Sequence, residues 1–212
     1  MYPTGSFDRF RTDLLETYRD YGEEDYVTFG ILIADYRQTE AREYIYNYIN
    51  LFDEESGRYF DFFIPGYGEL NYVDDARKCF TIRGKDYYFS EKLFKDYYSK
   101  LNLNFGIEYS FNPMLILMSM IPNKRHTAHF IVIYLDDDEK HGVKRSGELF
   151  RKIFSFAVHD PTIEGFESLL HKTYIMGDCI DSILNLFGKG FLIELKNQSK
   201  KYRCYKIKDI RL

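Results

Sequence analysis

The residues of this chain best placed to do chemistry lie in Asp35-Tyr36-Arg37-Gln38-Thr39-Glu40, where a run with strand character gives way to one with helix character. In open α/β sheets, ligands collect at the carboxyl ends of parallel strands, where helix N-termini point their amides. An arginine at that edge binds a phosphate or a carboxylate, with Asp35 orienting Arg37 and Thr39 beside it. The same residue types also read as helix capping, with Asp35 and Thr39 as caps and Arg37 in solvent.

A second acidic group, Asp136-Asp137-Asp138-Glu139, follows another strand-like run, and its carboxylates are of the kind that hold Mg²⁺ or Ca²⁺. A hard cation needs oxygens converging from several directions, whereas consecutive loop residues diverge, so a solvated turn competes with a site at Asp136. His126 and His129 straddle a turn and a strand start, where their side chains point differently. No metal ligand or cofactor is assigned. His141, His159 and His171 lie near acidic residues without forming a nameable nucleophile–histidine–acid set. Gly66-Tyr67-Gly68 and Gly188-Lys189-Gly190 lack the spacing of a phosphate-binding glycine loop. Cys79, Cys179 and Cys204 include no CxxC pair, which excludes a zinc knuckle and a dithiol redox motif and points to the cytoplasm.

Charge is distributed unevenly. Residues 1–64 hold 14 acidic and 6 basic side chains and no lysine, while residues 196–212 hold seven basic and one acidic. Lys200, Lys201 and Arg203, interleaved with tyrosines, suit phosphate contact and base stacking. They suit equally the solvated face of a terminal hairpin.

The elements that must position these groups follow from hydrophobic period. Phe7, Phe10, Leu14, Leu15 and Tyr18 form a helical stripe over 7–21. Residues 26–34, YVTFGILIA, read as a strand covered on both faces. A helix from Gln38 or Thr39 to residue 54 buries Ala41, Tyr44, Ile45, Tyr48, Ile49 and Phe52, and a parallel strand over 58–64 ends at Pro65-Gly66. Residues 66–89 read as an insertion with a short hairpin around Gly84-Lys85. Ser90 caps a helix over 90–102. Strands at 114–120 and 129–135 pair antiparallel, followed by helices at 147–156, from Asp160-Pro161 to about 176, and at 178–187. FLIEL and YRCYKIK close the chain as a hairpin. No apolar run exceeds about eight residues, against the roughly 20 needed to span a bilayer.

Pro113 stands immediately before the strand 114–120. The order β (26–34), α (38–54), β (58–64), α (90–102), β (114–120), β (129–135), α (147–156) is similar to the thioredoxin fold, a family in which a cis-proline precedes the corresponding strand. The resemblance covers residues 26–157. Asp35 to Glu40 stand where that family carries CxxC, so the resemblance implies recognition without disulfide chemistry, with Pro113 a bend beside a binding groove. On the residues alone, Pro113 also reads as the start of an edge strand.

The expectation is a single α/β domain over 1–212 with a mixed central sheet, thioredoxin-like or Rossmann-like. Its core is 26–157, with an N-terminal helix and a helical and hairpin extension over 158–212. The aromatic usage, 20 Tyr and 19 Phe without Trp, fits AT-rich bacterial or phage genomes. A large aromatic surface without an assembled catalytic set favours a non-enzymatic protein-binding or regulatory subunit, with a protein partner or self-association. A nucleotide- or phosphate-ester-binding enzyme or sensor built on Asp35 and Arg37, and a nucleic-acid binder built on the basic tail, are the rival readings.

Overall fold

A computed structural model describes residues 2–18, 27–57, 60–70, 77–109, 112–120, 128–135, 142–166, 168–169 and 204–207. Strand β1 (Tyr2–Thr4) leads into helix α1 (Phe7–Thr17), β2 (Val27–Ile33), α2 (Thr39–Glu55) and β3 (Asp61–Pro65). Next come β4 (Tyr67–Gly68), β5 (Arg77–Ile82), β6 (Lys85–Phe89) and α3 (Glu91–Phe105). The described chain continues with β7 (Met114–Met120), β8 (Ala128–Tyr134), α4 (Gly142–Ala157), a helical turn at 163–166 and β9 (Cys204–Ile207).

The central sheet runs β1-β3-β2-β7-β8-β9 and is mixed. β3 is parallel to both β1 and β2, whereas β2–β7, β7–β8 and β8–β9 are antiparallel. β2 and β7 sit at its centre, and their near-continuous apolar sequences suit strands covered on both faces. Along them Thr28 meets Ser119, and the two hydroxyls hydrogen-bond at 3.2 Å, which satisfies the polar pair inside the apolar ladder.

Side-chain alternation divides the core into two aromatic layers. Phe29 and Phe63 face α1 and α3, where Phe10 and Tyr97 close over them. Phe62, next to Phe63, points the other way and meets Phe52 of α2 and Phe154 of α4. The sheet is therefore sandwiched between helix pairs. Each fully buried aromatic contributes about 1.5–3 kcal/mol relative to exposure, and the edge-to-face ring geometry adds about 0.5–1.5 kcal/mol per pair.

Several boundaries differ from those expected. β1 was not expected at all; three residues carry too little period to announce a strand, and it exists because β3 offers a parallel edge. Pro65 does not stop β3 but pairs with Thr4, because the ladder there needs no N–H from it. Helix α1 ends at Thr17, with Tyr18 as C-cap, short of residue 21. Residues 66–89 hold a second sheet, β4-β6-β5, whose turn is Arg83-Gly84 and not Gly84-Lys85. Both turn residues have positive φ, 49° and 77°, as the tightest hairpin turn demands.

Near the C-terminal end, α4 begins at Gly142, five residues earlier than the period indicated. The following helical turn is capped by Thr162, whose Oγ1 accepts from Gly165 N at 3.1 Å, so Asp160-Pro161 lies before the cap. β9 extends the central sheet beside β8. The other expected C-terminal elements, the helix at 178–187 and FLIEL, lie outside the described residues. Among the described residues, no helix is long and apolar enough to cross a membrane.

Candidate functional site

The carboxyl end of β2, the N-termini of α2 and α3, and the residue before β7 meet at one end of the sheet. Asp35 follows β2 after Ala34 and is fully buried. Its backbone oxygen accepts from Gln38 N at 2.9 Å, and its Oδ1 accepts from Arg37 N at 3.0 Å, a local turn that lifts the chain into α2. That turn brings the Arg37 side chain back onto the same carboxylate. Nε lies 2.9 Å from Oδ1 and 3.1 Å from Oδ2, and Nη2 lies 2.5 Å from Oδ2. This two-toothed geometry suits the flat guanidinium fork.

The remaining nitrogen of Arg37, Nη1, pairs with Glu91 at the start of α3, and Glu91 pairs in turn with Lys95 one turn on. A chain of alternating charge therefore runs from the buried Asp35 to the surface. Hydrogen bonding to Asp35 above all holds the Arg37 guanidinium charged well beyond its already high range. Lys95 first, then Arg37, draw the Glu91 carboxyl below its usual value.

Aromatic hydroxyls line the same end. Tyr67 donates to Ala34 O at 2.7 Å and is fully buried. The Tyr109 phenol is raised by burial and then by the Asp35 carboxylate; a hydrogen bond with the Asp35 backbone and the Arg37 charge oppose the rise. Its ring lies 5.5 Å from that of Tyr98, and both are half-buried. Tyr36 shares a 2.5 Å hydroxyl contact with the exposed Tyr46, and burial raises its phenol too. Burial pushes the nearby Cys79 thiol up to about 12, and its Sγ donates to Arg77 O at 2.9 Å.

Of the residues singled out from sequence, Asp35 and Arg37 are joined directly. Thr39 is not the cap of α2; Gln38 holds that position without a side-chain bond, and Thr39 Oγ1 accepts from Arg42 Nη2 at 3.1 Å. Pro113 lies one step beyond the Ile33–Met114 pair, which sets it at the same sheet end as Ala34 and Asp35. It is buried, its peptide bond is trans, and its carbonyl accepts from Leu135 N at 2.9 Å. Because β7 lies between β2 and β8, the edge-strand reading of Pro113 is overturned. Asp136, Asp137, Lys200, Lys201 and Arg203 lie outside the described residues. Among the described residues, no group of three or more His, Cys, Asp or Glu is arranged to hold a metal ion.

Glu91, Lys95, Tyr67 and Tyr109 were not picked out from sequence, and Tyr98 was read only as part of the buried face of the helix 90–102, whereas it is half-buried. Glu91 carries only the signature of an acidic residue in the first turn of a helix capped by Ser90. No protein-family model, curated protein or solved structure matches this chain.

Proposed function

We propose that the protein is a non-enzymatic protein-binding or regulatory subunit of a bacterial or phage cytoplasmic system, and that it meets its partner at the sheet end around Arg37, Tyr98 and Tyr109. The observation that carries this reading is the pair of half-buried tyrosine rings, Tyr98 and Tyr109, 5.5 Å apart at the sheet end that also carries Arg37. A general base or nucleophile needs its pKa drawn toward the working pH. Here the phenols of Tyr36, Tyr67 and Tyr109 and the thiol of Cys79 are raised away from it, and Arg37 is already engaged by two carboxylates. What the site offers a ligand is half-buried tyrosine and paired charge, the composition of a recognition surface.

The finer fold reading is a thioredoxin-like core without its redox pair. It is supported by β2 lying between a parallel β3 and an antiparallel β7, with β8 antiparallel beyond. The rival phosphate-binding reading would require Arg37 to leave Asp35 or Glu91.

Native mass spectrometry of the protein purified from its own host tests the proposal. A protein partner retained by the wild type and lost from Tyr98→Ala/Tyr109→Ala, with folding unchanged by circular dichroism, is the expected result. A retained nucleotide or phosphate ester in place of a protein would overturn it.

A further inference from the structure

At the sheet end away from Arg37, a buried acid carries a charge that nothing described balances. Asp61 opens β3 and pairs with Phe29 near the start of β2, whereas Asp35 lies beyond the end of that strand. Asp61 is 7% exposed. Its Oδ2 accepts from the Tyr18 hydroxyl at 2.6 Å, while no hydrogen-bond donor among the described residues reaches Oδ1, an atom closed to solvent. The other buried acids, Asp35 and Asp53, each hold an arginine, Arg37 and Arg83; among the described residues Asp61 has no such partner. A carboxylate taken out of water without a counter-charge is costly, and a buried oxygen that no protein donor reaches is one that water or an ion satisfies.

The surroundings of Oδ1 offer both room and field. Gly57 has φ 86°, and a Cβ there would lie 3.8 Å from Asp61 Oδ1 and, its chain neighbours aside, within 4 Å of no other described atom. α2 ends just before Gly57, and Tyr18 is the C-cap of α1; neither helix has a basic residue in its last turn. The carboxyl ends of helices favour cations. In the last turn of α2 stand Asp53, Glu54 and Glu55, of which only Asp53 is paired among the described residues.

We infer that Asp61 Oδ1 and the open side of Gly57 form a site for a small monovalent cation, Na⁺. Charge sets the valence, because one carboxylate balances one positive charge. A divalent ion would draw on a larger acidic set, and no group of three His, Cys, Asp or Glu is so arranged among the described residues. Closeness sets the size: water does not reach Oδ1, and a bare Na⁺ is smaller than a water molecule whereas K⁺ is about as large. Neutral oxygens stand in the field of the same acid. The Tyr18 hydroxyl is bound to it, and the Tyr2 phenol, hydrogen-bonded with Thr17, is raised by burial and then by the Asp61 carboxylate. The site is separate from the proposed partner surface and does not depend on it.

The test is urea unfolding of the full chain at neutral pH, with NaCl exchanged for tetramethylammonium chloride at constant ionic strength. An ion held by the folded state alone raises the folding equilibrium constant about tenfold for each tenfold rise in Na⁺ above its Kd. KCl is expected to give a smaller rise. Asp61→Asn, which keeps an acceptor for Tyr18 without the charge, is expected to give none. Should that variant not fold, Gly57→Ala, whose methyl takes the open side, is expected to lose the Na⁺ response in its place. Equal stability of the wild type in Na⁺ and tetramethylammonium, the result of a water at Oδ1, would overturn the inference. So would K⁺ matching Na⁺, or a response that survives Asp61→Asn. Arg58 follows Gly57 in sequence. A Na⁺ response that emerges only in Arg58→Gln would show that the chain supplies its own cation, and would overturn the inference as well.

Discussion

Arg37 and Asp35 are joined along a full edge of the guanidinium although their exposures are opposite: the acid is completely buried, whereas the arginine side chain is 37% exposed. Removing either partner therefore has unequal cost. Arg37→Met strands a carboxylate in the interior and should cost about 3–5 kcal/mol. Asp35→Ala leaves a cation that can turn to water and should cost about 1.5–3 kcal/mol, the worth of the charged hydrogen bonds lost. Urea unfolding of the two variants checks the order.

Tyr97 is wholly enclosed among Phe7, Phe10 and the rest of the α1–α3 interface, and its hydroxyl has no hydrogen-bond partner. A buried, unpaired hydroxyl is a standing cost of about 1–3 kcal/mol. Tyr97→Phe should stabilise the protein, with a melting temperature raised by about 2–4 °C per kcal/mol for a chain of this size. A lowered melting temperature would show that the hydroxyl is satisfied in solution.

Gly66 and Gly84 separate backbone strain from crowding. Both have positive φ, but a Cβ on Gly84 meets nothing within 4 Å, whereas one on Gly66 would lie 2.7 Å from Phe94 Cβ. Gly84→Ala should cost only the left-handed penalty of about 1–2 kcal/mol. Gly66→Ala should add about 1–3 kcal/mol of overpacking, because Gly66 also bonds Thr4 and Ser90 through its backbone and cannot retreat. Parallel denaturation curves give the difference.

Alkali should unfold the protein in a defined window. Burial raises the Cys79 thiol from 9.0 to about 12, and raises Tyr67 and Tyr97 well above 10.0. A group whose folded pKa is raised contributes stability that is complete below its unfolded pKa and is lost as pH climbs toward the folded one. The unfolded chain releases these protons first, so stability falls from pH 9 through 12, each fully buried phenol contributing at most about 1.4 kcal/mol per pH unit above 10. Thermal melts across this range, repeated on Tyr97→Phe, should show the shallower slope in the variant. At pH 8, Cys79 in the folded protein should resist thiol-modifying reagents.

The local chemistry of the site was legible in sequence, and its tertiary closure was not. Asp35 and Arg37 stand two residues apart after an apolar strand, so their pairing is a short-range matter of turn geometry. Strand β7 was placed at its observed limits because Pro113 and Pro122 bracket a run that is apolar except for Ser119. Ser90 acts as the cap expected, accepting from Leu93 N at 3.4 Å. Thr39 failed as a cap because the Asp35 turn places the helix start one residue earlier. Glu91 reaches Arg37 across 54 positions, a juxtaposition that depends on the β4-β6-β5 insertion bringing α3 back to the end of β2. No periodicity in either segment reports that approach. β1 was hidden for the same reason, since three residues become a strand only when a distant edge is available.

The sheet order has a consequence for synthesis. β2 is the central strand with an almost wholly apolar sequence, and its partners emerge at very different times: β3 begins 28 residues after β2 ends, but β7 begins only 81 residues after it. At translation rates of about 5–20 residues per second, one edge of β2 waits roughly 4–16 s for its antiparallel neighbour. During that interval α2, folded over one face, shields the side chains but not the unpaired amides and carbonyls of the edge. The nascent chain thus passes through a stage in which its most adhesive strand is half-paired, and slowing elongation between residues 66 and 113 should divert it into aggregates even when the finished fold is stable.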